Sequence, residues 1–444
     1  MSPLRAAAAA QDDDPGGPDG GATAATLVTP AEVAMVLPFA ALLLGIAVLP
    51  MVAPHAWEHG WLRWALSAGL GGPALAWAVA ARPAAALHGL QEYVSFVVLL
   101  ASLTATASGI ALVGSPSRGP AANAVLLGIG GLLASAIGTT GAAMVLFPPL
   151  MRSNHGRRRR AHLGVFFIFI VGNIGGLLTP LGDPPLFLGY LRGVPFTWTL
   201  RLWPVWLGSL LYLLGVFWAI DRRLWRSDPA PGGSGRGFRV EGAEVAALLV
   251  LLVASIAIGG ARRWPWGVSE LLMATIAVLA WWRTPPARRT YNAFSWAPWS
   301  EVAVLFAGIF AAMIPAFELV ATRGAVLGAG PPWRLFWGTG LLSSFLDNAP
   351  TYVTLAGCAA TNLGLPGHDL AALAGHPEGA PLLAAVAMGS VMMGATTYLG
   401  NGPNLMVRAM AAARGVGMPH FLGYLGWSLA VLMPLFAVVA LVAV

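Results

Sequence analysis

The sequence lacks lysine, contains one cysteine and has few charged residues. Charged side chains make up 10% of its 444 residues, against roughly 25% in soluble domains. Together with a hydrophobic content of 57%, this scarcity excludes an ordinary soluble domain and indicates a chain built for lipid. The lone Cys358 excludes an internal disulfide. No phosphate loop, nucleophile elbow or histidine–cysteine metal spacing occurs, so we expect neither an enzyme nor a bound cofactor.

The formal charge of +7 comes entirely from arginine. The arginines cluster between apolar segments, where they orient a chain in the bilayer, and this distribution argues against nucleic acid as a partner. Residues 1–30 combine a short alanine run with aspartates and glycines, and we expect a disordered tail. Its apolar run at 6–10 is too short for a signal-peptide core of roughly 7–15 residues.

Apolar segments of membrane-spanning length occur throughout the rest of the chain. They lie at roughly 32–53, 62–81, 91–113, 163–190, 199–220, 244–260, 266–282, 299–320, 383–412 and 421–443. Two further segments, roughly 121–150 and 334–361, are interrupted at Gly138–Gly141 and at Asp347–Pro350. The distal arm of the first is about ten residues, or about 15 Å of helix, which cannot cross a core of about 30 Å. We therefore predict two re-entrant hairpins with polar tips.

A stretch of the first half recurs in the second. Thr179 begins T-P-L-G-D-P-P-L and Thr397 begins T-Y-L-G-N-G-P-N-L, an offset of 218. Leu132 begins L-L-A-S-A-I-G-T-T-G and Leu341 begins L-L-S-S-F-L-D-N-A-P, an offset of 209. Duplicated units whose helices break at membrane depth are typical of secondary transporters.

The arrangement of crossings predicts an all-α polytopic membrane protein made of two inverted repeats. Each half has five crossings, so the second copy enters from the opposite face. We expect repeat 1 at 31–220, a cytoplasmic linker at 221–242 and repeat 2 at 243–444. Loops after the odd-numbered crossings, together with the span ends beside them, hold 17 of the 25 arginines, and the positive-inside rule then places both termini outside an inner (plasma) membrane.

The segment from Asn173 to Leu186 must break, because prolines remove backbone donors and clash with the preceding turn. Freed backbone groups cannot stay bare in lipid and must line protein or a wet cavity. Asp183 adds a carboxylate to this break. The polar residues that we expect to form an ion or substrate site around the two breaks are Asn173, Thr179, Asp183, Thr396, Thr397, Asn401 and Asn404.

The hairpin tips supply the rest of the expected site: Thr139 and Thr140 from the first, and Asp347, Asn348 and Thr351 from the second. A carboxylate at bilayer depth is a functional hypothesis by default. Burial disfavours its charged form, so a proton can take the place of a cation. The alternative is structural, with Asp183 and Asp347 each capping the helix that follows.

We expect Asp347 to couple the two fluxes. Its predicted partners are Asn348, Thr351, Asn401 and Asn404, and the predicted sodium ligands are Asp347, Asn348 and Asn401. Asp183 would form a matching site with Thr139, Thr140 and Asn173. Weaker candidates are Glu92 and Glu301, expected as interfacial residues at span starts, and His155 and His162, expected on a solvated loop beside Arg157–Arg160.

At these motifs the chain resembles the ion transporter superfamily, which includes divalent-anion/sodium symporters, arsenite-pump channels, citrate carriers and NhaD-type sodium/proton antiporters. The resemblance covers the chain after residue 30. It implies a homodimer, with a static scaffold and a transport domain of hairpins and broken helices that moves as an elevator.

The chain departs from the dicarboxylate members, which carry S-N-T at hairpin tips. Its tips read G-T-T-G and D-N-A-P, and no arginine lies within either motif. Two carboxylates in a low-dielectric pocket attract a cation, which favours sodium or lithium exchange with protons. Symport of citrate or another carboxylate remains the alternative. A remote alternative, an intramembrane aspartyl protease, lacks its G-x-G-D pattern because Pro180 occupies the first glycine position.

Overall fold

The computed structural model describes residues 30–114, 119–228, 238–292, 294–327 and 330–444. The tail predicted at 1–30 lies outside them except for its last residue. The described residues are 79% helical, and eight helical segments among them are long and apolar enough to cross a membrane. The all-α polytopic class predicted from composition is confirmed.

The described ranges contain nineteen α-helices, numbered in chain order. They are α1 (Pro30–Val52), α2 (Pro54–Glu58), α3 (Trp61–Leu66), α4 (Gly72–Ala81), α5 (Pro83–Ser108), α6 (Pro120–Ser153), α7 (Ala161–Ile170), α8 (Pro184–Leu191), α9 (Trp203–Ser227), α10 (Ala243–Arg262), α11 (Val268–Arg283), α12 (Pro286–Tyr291), α13 (Ala297–Leu327), α14 (Pro332–Phe345), α15 (Asn348–Asn362), α16 (Leu370–Gly375), α17 (Gly379–Met393), α18 (Gly402–Ala412) and α19 (Phe421–Val442). A π-helical turn, Ser67–Gly71, and two 3-10 turns, Ile174–Leu178 and Trp198–Leu202, connect some of them.

Helices α1, α4, α5, α10, α11 and α13 pack together and are called the frame below. Buried hydrogen bonds join them, such as the one from the Ser102 hydroxyl to the carbonyl of Met273 at 3.1 Å. Phe96 of α5 stacks on Phe306 of α13 with ring centroids 4.6 Å apart. Aromatic stacking and apolar burial thus hold the frame together.

Helix α6 doubles back where the sequence predicts the first tip. Gly138 has φ 78° and ψ 153°, a conformation that glycine tolerates because it has no Cβ. The ends of the two arms meet, since the Asn123 amide donates to the Asn154 side chain at 3.1 Å. Midway along, a Cβ built on Gly130 would lie 3.2 Å from Leu146. A straight helix would separate those two residues by about 24 Å at 1.5 Å per residue.

The second tip is a two-residue turn. Leu346 and Asp347 are extended between α14 and α15. The arm α14 packs chiefly against α17 and also against α15. The polar D-N-A-P stretch therefore begins a helix, as the first tip does.

Both predicted breaks are present. Helix α7 ends at Ile170 and the chain passes through the turn Ile174–Leu178 before α8 begins at Pro184. In the second half, α17 ends at Met393 and irregular chain leads to α18, which begins at Gly402. Irregular backbone in a membrane protein is tolerated only inside protein or beside a cavity, and the residues around both breaks are buried.

The boundaries of one span and of the linker differ from the prediction. The span expected at 91–113 is a helix that ends at Ser108 and continues as a strand, Ala111–Gly114, paired antiparallel with Phe238–Glu241. The linker expected at 221–242 is shorter, because α9 extends to Ser227 and the second strand begins at Phe238. Hydropathy marks apolar length only, and the apolar residues 111–113 of the first strand lengthened the predicted span without being helical.

Three polar residues expected at interfaces or on loops are buried instead. Glu92 lies inside α5, which begins eight residues earlier than the position expected for a span start, and pairs with Arg192 at 3.1 Å. His162 and Arg157 both contact Asp221, at 2.9 and 2.7 Å. The solvated loop predicted for His162 is wrong, because the buried carboxylate of Asp221 gives this histidine and Arg157 a partner inside the protein.

Candidate functional site

The two breaks place Asp183 and Asn401 face to face. Each residue immediately precedes a helix and has extended backbone, with φ −145° at Asp183 and −155° at Asn401. Prolines follow at the first turn of each helix, where the missing N–H is harmless and the ring ends any preceding helix. Pro184 directly after Asp183 favours the extended backbone of that residue. Asn401 is extended at the matching point, with Gly402 between it and Pro403.

The carboxylate of Asp183 is the centre of the site and is 1% exposed. The Asn348 amide donates to Oδ2 at 2.6 Å, and the Asn401 amide donates to Oδ1 at 2.9 Å. The Thr139 hydroxyl lies 3.4 Å from Oδ1. Both tips and both breaks thus converge on one carboxylate.

A second layer of amides supports the first. The Asn401 amide also donates to Asn173 Oδ1 at 3.2 Å, and the Asn173 amide donates to Asn404 Oδ1 at 2.8 Å. Asn404 in turn donates to the backbone carbonyls of Gly394 and Thr397, both at 2.9 Å. These bonds fix the rotamer of the Asn401 amide that faces Asp183.

Each tip is tied to the break of its own half by the same set of hydrogen bonds. The Thr179 hydroxyl donates to the Ser135 carbonyl, and the Thr397 hydroxyl donates to the Ser344 carbonyl. The serine hydroxyls also find matching acceptors. Ser135 donates to the carbonyl of Gly175, and Ser344 donates to the carbonyl of Met393 at 3.2 Å.

Close glycine contacts repeat in the same way. A Cβ on Gly182 would overlap the backbone of Gly176, and a Cβ on Gly400 would lie 2.6 Å from the carbonyl oxygen of Gly394. Real Cβ atoms essentially never approach so closely. Both breaks therefore require glycine at the position before Asp183 or Asn401.

Asp347 lies apart from the amide cluster. Its carboxylate accepts a hydrogen bond from the backbone N–H of Ala349 at 3.0 Å and so caps α15. The side chain is half-buried and borders a cavity that Thr140 also lines. Its charge is close enough to interact electrostatically with Asp183.

The hydrogen-bond partners of Asp347 and Asp183 therefore differ from those predicted. Asn348 and Asn401 were assigned to Asp347 but contact Asp183. Thr351 donates to the backbone carbonyl of Asp347 at 2.9 Å, not to its carboxylate. The residue order along a chain shows which positions match, but not which side chain of a tip turns toward the break.

Acceptor capacity remains around Asp183. Asn348 Oδ1 is buried without a hydrogen-bond partner in the described part of the chain, as is the hydroxyl of Thr396. Buried polar atoms are normally satisfied, so an oxygen of this kind beside a carboxylate suits a cation. The described residues contain no group of three or more histidine, cysteine or acidic side chains placed to hold a metal ion, and the amide and hydroxyl oxygens present are hard donors.

The matched sequences could have revealed Ser135 and Ser344, which the prediction left out. Both lie in the quoted L-L-A-S and L-L-S-S stretches, at the offset of 209 that pairs the tips. The sequence indicates the ion pair between Glu92 and Arg192 more weakly, because only Glu92 has a matching residue at the repeat offset in the second half. Thr140, Thr179 and Thr397 lie at the tip and breaks as predicted, but their hydroxyls do not contact Asp183 among the bonds described above.

The protein is a helical membrane protein, and its buried carboxylate lies where two broken helices meet two chain reversals. These features define the class of membrane transporters. A protein-family model described as "Putative citrate transport" matches residues 29–444. The chain therefore belongs to this family of membrane transport proteins. No curated protein matches the chain.

Proposed function

We propose that the protein is a cation/proton antiporter in which Asp183 binds either a cation or a proton. The observation that carries this proposal is the burial of the Asp183 carboxylate among two amide donors and a hydroxyl. No cationic side chain in the described part of the chain is among its contacts. A charged carboxylate in low dielectric is costly unless it is paired. A bound cation or a bound proton removes that cost, and only one of them can do so at a time.

Sodium or lithium fits the donor set best. Hard cations prefer oxygen ligands, and Asp183, Thr139 and the orphaned Asn348 Oδ1 supply them within the described residues. Asp347 lies close by and adds a second negative charge that favours cation entry. The coupling role expected of Asp347 thus moves to Asp183.

The matched hydrogen bonds support two inverted repeats, at 31–220 and 243–444, whose tips and breaks form the moving unit. In this proposal the frame is the static scaffold of an elevator-type homodimer. The chain lies in the inner membrane with both termini outside, and the loop at Arg157–Arg160 faces the cytoplasm.

Citrate transport is the second candidate, because the family description favours it. A citrate trianion entering alone would meet Asp183 and Asp347 without a compensating cation. Citrate would therefore have to enter with a metal ion that offsets its charge. An aspartyl-protease dyad has less support, because Asp183 is held by amides and Asp347 caps α15.

Everted membrane vesicles distinguish the candidates. Adding sodium or lithium to vesicles with an imposed pH gradient should collapse the gradient, and Asp183→Asn should abolish the effect. Asp369→Asn is the matched control, because Asp369 caps α16 by a 3.0 Å bond to Ala371 and is exposed. Citrate uptake without any sodium or lithium response would favour citrate transport instead.

A further inference from the structure

A cavity of about 370 Å³ lies beside the amide cluster, between the frame and the broken helices. The frame contributes α1, α5 and α13, and the other wall is the first tip together with α8 and α18. Binding sites for small molecules have volumes of about 300–1,000 Å³. The cavity is therefore of a size to take an organic molecule rather than a single ion.

The walls of the cavity are chiefly apolar and aromatic. Five aromatic side chains line it: Trp57, Phe96, Phe187, Trp299 and Phe306. Oxygen-bearing side chains line only part of the cavity, namely Thr104, Thr139, Thr140, Glu301, Asp347 and Asn401. The remaining carbon walls cannot provide the oxygen ligands, at about 2–2.6 Å, that a bare inorganic cation requires. Aromatic faces do attract organic cations, through the negative potential above the ring.

The charges that face the cavity are negative. Asp347 and Glu301 are the charged side chains among its described lining residues, and no arginine or histidine lines it there. Glu301 is compensated, because Arg63 lies 2.9 Å away and Trp57 donates to it at 2.9 Å. One carboxylate oxygen of Asp347 accepts a hydrogen bond from the Ala349 N–H. The other oxygen has no hydrogen-bond donor within the described ranges.

We propose that this cavity binds a small organic monocation with an aromatic or branched apolar body, whose charge lies against Asp347. The apolar body would occupy the aromatic walls, and the positive charge would compensate the carboxylate. The inference goes beyond the proposed function, since it assigns a ligand class to the cavity that lies beside the Asp183 site. A carboxylate ligand such as citrate would find no positive group on these walls.

Binding of benzyltrimethylammonium to the full-length purified protein tests the proposal. Its neutral carbon isostere, neopentylbenzene, has the same shape without the charge. Saturable binding of the cation is expected, at an affinity at least about tenfold above that of the isostere, since a charge pair at low dielectric is strong.

Asp347→Asn should remove most of that preference and leave binding of the neutral isostere unchanged. Asparagine is as good a helix cap as aspartate, so the variant should fold, and an unchanged melting temperature checks this. Asp369→Asn replaces an equivalent exposed cap and should leave binding of both probes as in the wild type. Asp347→Glu should restore part of the preference for the cation.

Equal affinity for cation and isostere would overturn the proposal, because it would mark the cavity as an apolar crevice without charge selection. Absence of saturable cation binding would overturn it as well. Sodium exchange measured on the same preparation separates the two claims. Exchange without probe binding contradicts only this inference, and probe binding without exchange contradicts only the proposed function.

Discussion

The carboxylate of Asp183 receives polar groups from three other segments of the chain. Asn348 and Thr139 come from the two tips, and Asn401 comes from the opposite break. Each donor stabilises the charged form of the carboxylate, while burial disfavours it. In the proposed function, the balance between the two lets this carboxylate exchange its proton for a cation.

Removing one donor should disturb that balance. Asn348→Ala leaves Asp183 Oδ2 without its 2.6 Å donor, so we expect the free energy of unfolding to fall by about 1–3 kcal/mol and cation affinity to fall with it. Thermal unfolding and exchange assays measure the two effects.

Thr354→Ala on the same helix is the control. Its hydroxyl bonds the carbonyl of Pro350 one turn earlier at 2.8 Å, and its loss should change stability by less than about 0.5 kcal/mol. A similar loss in both variants would mean that Asn348 contributes no more than an ordinary helix residue.

At the level of elements, the first tip depends on one backbone conformation. Gly138 has a positive φ, and a Cβ there would lie 3.3 Å from the carbonyl oxygen of Leu181. Gly138→Ala should therefore lower the free energy of unfolding by about 1–2 kcal/mol. Thermal melting in detergent checks this.

Gly208→Ala gives the opposite expectation. Gly208 lies within α9 with no atom within 4 Å of a built Cβ, and alanine is favoured over glycine in a helix by about 1 kcal/mol. Equal melting temperatures for the two variants would contradict the assigned tip.

The ion pair between α5 and α8 joins the frame to the first broken helix. Side chains of Arg192 and Glu92 are 8% and 5% exposed. Breaking a buried pair leaves an uncompensated charge, so Glu92→Gln should lower the free energy of unfolding by about 3–5 kcal/mol. Glu241→Gln in the exposed Arg239 pair should cost less than about 1 kcal/mol. Thermal melting without denaturant compares the loss of stability in the two variants. Equal losses would contradict the burial of the Glu92–Arg192 pair.

Sequence predicts the breaks and tips because proline, glycine and adjacent polar residues are incompatible with a continuous membrane helix. Asp183, Asn401 and Gly138 are therefore found at the positions expected for them. Hydrogen-bond partners are not predictable in the same way, and Asn348 was assigned to the wrong carboxylate. The burial of His162 was missed because its partner, Asp221, lies 59 residues away along the chain.

At the scale of the whole molecule, the distribution of arginine predicts the orientation of the chain. A phosphatase fused after Val444 should be active, because that enzyme folds only outside the cytoplasm, while a fluorescent reporter at the same place should be dark. A fusion in the loop at Arg157–Arg160 should give the reverse pattern. Cytoplasmic activity at the C-terminus would contradict the proposed inverted topology.

The central claim is that a cation and a proton compete for Asp183. Proton release on adding sodium or lithium to the purified protein in weakly buffered detergent solution tests it most directly. A proton should appear for each cation bound when the starting pH keeps Asp183 protonated, and the release should fade as the pH is raised. Asp183→Asn should release none, and Asp369→Asn should match the wild type. Cation binding without proton release, or release that survives Asp183→Asn, would contradict the account.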